Sequence, residues 1–542
     1  MKKAYLADLQ AELAGSVTDV PEALDYFATD GSVFQQKPAG VIYPRNTADV
    51  RRSVNFLAAK AKSGKTIGIT ARGKGTDQSG AAIGAGVVMV FPAHMNQLLR
   101  LDNNSVTVQP GINYGSLQQI LQTHGRFLPP YPSSINFSTI GGAVANNAAG
   151  EKSVKYGSTK QWVKSLKVVL ADGSLIEAKR LTPRELNRKK GQADLEGQIY
   201  RGLDGLITDN AKAITAAYPK TSKNSAGYDL ARVKAADGSF NLVHLLVGSQ
   251  GTLGIVTEVT LVTAPFNART TLMVGFFDDL ARAGEAINRL VKLHPSALEL
   301  VDYHLLDFMR RHRPADIQGL VPENLPKLVL LIEFDDVSQL QQTLKGRRAE
   351  HLLKKYATSS CSATNPIQQQ ALWKLRRSAA AVIWMNHGPR KALPVIEDGI
   401  VPLDRLPQFL REVYKLLKKH NLEIAVWGHA GDANLHLQPF IDLSKKHEVD
   451  KLFKVADDFY DLVIKLGGSV SGEHNDGLMR GPYLAKLYGE EVYGLFREVK
   501  QLFDPQNIMN PGKKIDVTQD MARASLRSSY SLKHLYDHLP HS

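Results

Sequence analysis

One cysteine, Cys361, stands among 542 residues. A single thiol excludes an intramolecular disulfide and cannot by itself ligate an iron–sulfur cluster. Long hydrophobic runs are also missing. The longest, such as LVLLI at 328–332, are strand-sized, far below the ~18 apolar residues of a membrane span. The N-terminus MKKAYLADLQAEL lacks a signal-peptide core, being interrupted by Asp8 and Glu12. No basic run interleaves with aromatics, so the formal charge of +14 does not indicate nucleic acid. Its basic residues are spread out, with local clusters at 179–190 and 310–313, and suit an acidic substrate or an anionic surface. These absences predict a soluble, cytoplasmic protein. Peripheral contact with the inner membrane face stays open.

What is present is ordinary globular composition, 43% hydrophobic and 22% charged, in a chain long enough for two or three domains. Residues 47–63 read as a helix with Thr47 as N-cap and Val50, Val54, Leu57 and Ala58 on one face. Asp172-Gly173 marks a hairpin, and LVHLLVG at 242–248 reads as an apolar strand. From about residue 270, strands alternate with helices at 337–357 and 404–421, predicting an antiparallel sheet covered on one face. The fold class is α+β. A helical segment at 1–36 precedes domains at 37–266 and 267–514, and 515–542 reads as a loosely docked tail.

Three glycine-rich loops stand out: ARGKGTDQSGAAIG (71–84), PPYPSSINFSTIGGAVANNAAG (129–150) followed by VKYGST, and GSQGTLGIVTE (248–258). The first follows a strand and offers backbone N–H groups to a pyrophosphate, or is a plain glycine turn. Together, in this order, the three resemble the FAD-binding domain of the vanillyl-alcohol-oxidase and p-cresol-methylhydroxylase (PCMH) type. That resemblance implies FAD contacts at Arg72, Gly73, Lys74, Gly75, Thr76, Asp77, Ser79 and Gly80. It implies others at Pro130, Ser134, Thr139, Gly141, Gly142, Asn146, Gly150 and Gly157, then at Gly251, Ile255, Val256 and Asn510. Lys74, Tyr131 and Gln250 depart from the family's residues. The first loop has Thr76 and Asp77 where covalently flavinylated relatives often carry histidine, so the FAD is expected to be non-covalent.

HAGDANLH (429–436) places two histidines seven apart around turn-forming residues. A hairpin would let His429 and His436 converge; separately, each reads as an ordinary buried or surface histidine. SVSGEHNDG adds Glu473 and His474, and two imidazoles with a carboxylate suit zinc, manganese or iron(II). These segments, with DPQNIMNPGKK (504–514), resemble the C-terminal domain of the D-lactate dehydrogenase, glycolate oxidase and D-2-hydroxyglutarate dehydrogenase family. Ala433 and Asn475 replace that family's glycines.

The resemblance implies that His429, His436 and Glu473 bind the metal and that His474 is the general base. Asn434 and Gln438 become substrate-side residues. ALWKLRR (371–377) resembles the family element whose arginine holds the substrate carboxylate, giving Arg376 that role, and PVIEDGIVP resembles its EDxxVP branch. The implied activity is oxidation of a D-2-hydroxy acid, D-lactate before D-2-hydroxyglutarate and glycolate, to the 2-keto acid by hydride transfer to flavin N5. The electron acceptor would be a quinone, a cytochrome or an electron-transfer protein. A flavoprotein subunit needing an iron–sulfur partner is the alternative.

Overall fold

The structure, a computed structural model, describes residues 4–363, 365–382 and 389–535. A four-stranded sheet comes first, ordered Ser16–Thr18, Gly40–Tyr43, Val87–Val90, Ile69–Arg72, with its last three strands parallel. Helix Thr47–Lys62 buries Val50, Val54, Leu57 and Ala58, as the helical spacing requires. Its N-cap is Asn46, not Thr47: the Asn46 side chain accepts from the Asp49 amide. Strand Ile69–Arg72 runs straight into the first glycine loop, which therefore emerges at the carboxyl ends of parallel strands.

The second sheet has six antiparallel strands, with Val163–Val169, Leu175–Leu181 and Ile255–Val262 at its centre. Ile255–Val262 alternates buried and half-buried residues, the mark of a sheet with one core face. The stretch 242–248 is not a strand. Val243–Leu246 is a short helix started by the Asn241 side chain, which accepts from the Val243 amide. A continuous apolar run carries no period to separate the two.

The third sheet has eight strands. Thr271–Phe277, Leu328–Phe334, Ala297–Asp302, Ile424–His429 and Asn434–Asp442 are successive neighbours within it. Helices cover both of its faces rather than one. Leu328, Leu330 and Ile332 pack in the cluster of Leu280–Leu290, Gln339–Tyr356 and Leu406–Lys419, while Val329 and Leu331 join Tyr303–His312 and Pro366–Val382. Every residue of Leu328–Phe334 is buried, so both parities need cover. The part of the tail among the described residues, 515–535, is docked more firmly than its composition suggests, and 536–542 lie outside them. Arg527 donates to the carbonyls of Asp30 and Ser32, Tyr530 to Gly31, and His534 Nε2 to the Gly75 carbonyl. Among the described residues no helix is long and apolar enough to cross a membrane.

Candidate active site

The hairpin of the third sheet sets the site. Trp427 lies opposite His436 and His429 opposite Asn434, so His429, Trp427, His436 and Gln438 share one face. The intervening side chains of Val426, Leu435 and Leu437 enter the core. Ala433 closes the turn at φ 54° and ψ 36°, the left-handed conformation that glycine adopts freely and alanine does not. Asp432 anchors the turn to the FAD-side half of the chain, accepting from Ser153 Oγ at 2.5 Å and Ser222 Oγ at 2.6 Å.

Glu473 and His474 arrive on a turn organised by Asp398. That carboxylate accepts from the Glu473 amide (3.1 Å), the His474 amide (2.7 Å) and Ser471 Oγ (2.6 Å). Glu473 Oε1 then stands 2.8 Å from His429 Nε2 and 3.1 Å from His436 Nε2. The His474 ring stacks on His436 with centroids 4.9 Å apart.

Two further carboxylates orient the imidazoles. His429 Nδ1 donates to Glu299 at 2.8 Å, and Glu397 accepts from Nδ1 of both His436 (3.1 Å) and His474 (2.6 Å). With ionised carboxylates on the Nδ1 side, the neutral rings carry their protons there. Neutral in this way, His429 and His436 would aim their Nε2 lone pairs at a carboxylate oxygen, an arrangement satisfied by a proton or by a metal cation between them. Charge says the same. Five buried carboxylates, Glu299, Glu397, Asp398, Asp432 and Glu473, meet three permanent cations, Lys223, Arg376 and Arg480, leaving two negative charges over.

Protons would answer this shortfall at His429 and His474. Burial pushes His429 down, but Glu299 and Glu473 outweigh it and raise its pKa to about 9. His474 reaches about 9 likewise, burial being overcome by Glu397 and Asp398. Burial opposes ionisation of Glu473, yet His429 and Lys223 hold it well below the usual carboxylate range. One divalent ion fits the same shortfall and the same donor set, for His429, His436 and Glu473 present one ligand atom each within 4.8 Å of one another.

The cluster lines one cavity together with the glycine loops, about 1700 Å³ of space with the open solvent at its mouth counted in. Arg72, Gly73, Lys74, Gly75, Thr76 and Asp77 line it from the first loop. Ser134, Thr139, Gly141, Gly142, Asn146 and Gly150 do so from the second, and Gly251 and Val256 from the third. Thr139 caps helix Ile140–Asn146 by accepting from the Gly142 amide. Asp77 ties the loops together, taking the Ser79 and Ala81 amides on one oxygen and Asn146 Nδ2 on the other. Ser138 Oγ and Gln78 Oε1 also line the cavity, buried and without a protein partner. A ligand rich in polar edges fits such a wall, and FAD is one.

Several sequence candidates stand outside that wall. Ser79 bonds Asp77 and Gln250; Gly80, at φ 86°, backs onto Phe34 and Leu478. Pro130 and Gly157 do not line the cavity, and Ile255 is in a core cluster. Asn510 holds Thr70 and the carbonyls of Ala81 and Gln250, so it braces the loops from behind. Asn434 points into the Asp398 turn, donating to Asp398 and the Gly399 carbonyl. Arg376 and Gln438 do face the cavity. Arg376 is held by Glu299 through Nε (2.9 Å) and Nη2 (2.6 Å), while Gln438 Oε1 is buried without a protein partner.

Sequence reasoning missed Glu299, Glu397, Asp398, Lys223 and Arg480 as site residues. Glu397 and Asp398 sit in the EDGIVP segment, and that adjacent acidic pair before a glycine was the available signal. Glu299, in the apolar strand ALELVD, was visible only as a charge where a core strand should carry none.

Residues 267–514 match the family described as FAD linked oxidases, C-terminal domain, and residues 38–179 match FAD binding domain. The glycolate oxidase subunit GlcD of Bacillus subtilis is 31% identical over 490 residues, covering 89% of both chains. The chain belongs to the FAD-linked oxidase family. The D-2-hydroxyglutarate dehydrogenase of Pantoea ananatis is 28% identical over 503 residues, covering 90% of this chain and 49% of that protein. The chain thus spans about half the length of the first such relatives. The structure of 4-ethylphenol oxidase from Gulosibacter chungangensis superposes with a TM-score of 0.66 at 15% identity over 96% of this chain and 98% of that one. This places the fold with the PCMH-type flavoenzymes, as the glycine loops implied.

Proposed function

We propose that this protein is an FAD- and metal-dependent dehydrogenase that oxidises a D-2-hydroxy acid to its 2-keto acid. The observation that carries this is the convergence of His429, His436 and Glu473, within a buried network short of two positive charges, in the wall of the FAD-type cavity. The chemistry supplied by non-covalent FAD, when bound, is acceptance of the C2 hydride at N5. The chemistry supplied by a divalent ion (zinc, manganese or iron) on those three residues is a lowered pKa for the substrate hydroxyl.

His474 takes the hydroxyl proton in its neutral form, the state left to it where a divalent ion rather than a proton answers the charge shortfall of the cluster. It is the most exposed of the three histidines, with 24% of its side chain accessible, and its Nδ1 is committed to Glu397, leaving Nε2 for the substrate. Glu397 fixes that tautomer and stabilises the imidazolium formed. Arg376 receives the substrate carboxylate on the guanidinium edge that Glu299 does not occupy. Gln438, its amide oxygen buried in the cavity wall, orients the remaining polar group.

D-lactate is the favoured substrate. D-2-hydroxyglutarate and glycolate follow. Electrons leave to a quinone, a cytochrome or an electron-transfer protein. The name of the Bacillus relative, a glycolate oxidase subunit, supports a second reading in which the chain delivers its electrons inside a larger complex.

Anaerobic bleaching of the bound flavin tests the proposal, with D- and L-lactate, D-2-hydroxyglutarate and glycolate as the panel. D-lactate is expected to bleach fastest and L-lactate not at all. A protein loaded with FAD and metal that none of the acids bleaches would overturn it.

A further inference from the structure

Lys223 belongs to the KTSKNSAGY segment, which neither the glycine loops nor the proposed chemistry uses. Its side chain is 1% exposed, and its ammonium lies 3.0 Å from Glu473 Oε2 and 3.3 Å from Ser153 Oγ. The two oxygens of Glu473 are therefore divided. Oε1 faces the Nε2 atoms of His429 and His436, while Oε2 is held by an ammonium that approaches from the other half of the chain. Ser153 also donates to Asp432 at the hairpin turn, so Lys223, Ser153 and Asp432 form one buried brace behind the cluster. A buried lysine is costly to desolvate, and a purely packing role at this point would be served as well by an apolar side chain.

Resting on the metal reading above, we propose that Lys223 is a positioning residue that makes Glu473 a one-oxygen donor and so sets which ion the site accepts. Two imidazoles and a single carboxylate oxygen suit a small ion content with few, nitrogen-rich ligands, of the zinc type. Ions that prefer more oxygen ligands, manganese among them, gain from a carboxylate that can turn both oxygens inward. With Lys223 in place that rotation breaks a buried ion pair. Without it, Glu473 is free to chelate.

The test is competitive metal binding to the FAD-loaded protein, wild type against Lys223→Met, with zinc and manganese titrated against a chelator. The zinc-over-manganese preference is expected to fall about 10-fold or more in the variant, chiefly through tighter manganese binding. An unchanged ratio in a variant that keeps its FAD and its ion overturns the inference and leaves the metal reading standing. Wild type that binds neither ion overturns both. Crystal structures of the zinc- and manganese-loaded wild type decide the matter without any variant. Glu473 is expected to contribute Oε1 alone to either ion, and coordination through both oxygens would contradict it.

Discussion

Along the wall built from residues 72–77, 139–150 and 249–256, the lining is mostly glycine and other small residues, with Arg72, Lys74 and Asp77 among them; along the wall built from 427–438 and 473–474 it is three histidines and a carboxylate beside Trp427 and Gln438. The first wall is local. Each loop brings its lining in consecutive residues, and braces such as Asp77 and Thr139 sit inside the loops themselves, with Asn510 and His534 as the distant supports. The second is assembled from afar. Its inner residues come from two segments, but the charges that set them, Glu299, Glu397 and Lys223, come from three others. A buried charge network does not tolerate exchange of side chains, since removing one member strands its partners.

The sharpest way to break this contrast is His474→Ala. Flavin and metal should stay bound while reduction by substrate slows by about 10²- to 10⁴-fold, read by stopped-flow absorbance; reduction at the wild-type rate would remove His474 from its role. Asp77→Ala tests the other wall. Loss of a carboxylate that collects two amides and Asn146 should cost about 1–3 kcal/mol of FAD binding, measured by flavin retention through dialysis, with the His474 side unaffected.

A smaller effect lies at the tail, where His534 supports the first loop through the Gly75 carbonyl. Burial, followed by the charge of Arg72, lowers its pKa from 6.5 to about 3. Below pH 6.5 a released tail takes up a proton that the docked one refuses. Docking should therefore weaken as pH falls towards 3, by up to about 1.4 kcal/mol per unit. Amide exchange over residues 526–535, corrected for intrinsic rate, should be faster at pH 5 than at pH 7, and the difference should vanish in His534→Gln. The smallest effect is Ala433→Gly, which relieves a left-handed alanine and should raise stability by about 1 kcal/mol, seen as a higher melting temperature.

The same contrast explains what could be read in advance. The HAGDANLH hairpin was legible because turn residues separate two apolar runs, and its register then follows from alternation. The loop residues were legible because glycine, threonine and asparagine serve the backbone where they stand. Ser79, Gly80 and Asn510 show the limit: motif membership did not distinguish a residue that faces the cavity from one that braces it. Helix Val243–Leu246 was missed for want of a period, and the second covered face of the third sheet because helix contacts are not written in any one strand. Lys223 and Glu299 were invisible as partners. Lys223 looks unremarkable until folding brings it to Glu473, and the charge of Glu299 in an apolar strand does not name His429 as its partner.

The most direct test of the metal-dependent dehydrogenase is substrate bleaching after chelation. FAD-loaded protein stripped of divalent ions should no longer be bleached by D-lactate under anaerobic conditions, and one equivalent of zinc or manganese should restore bleaching. Metal-free protein that bleaches at the undiminished rate would contradict the account, leaving His429, His436 and Glu473 as a proton-held buried network.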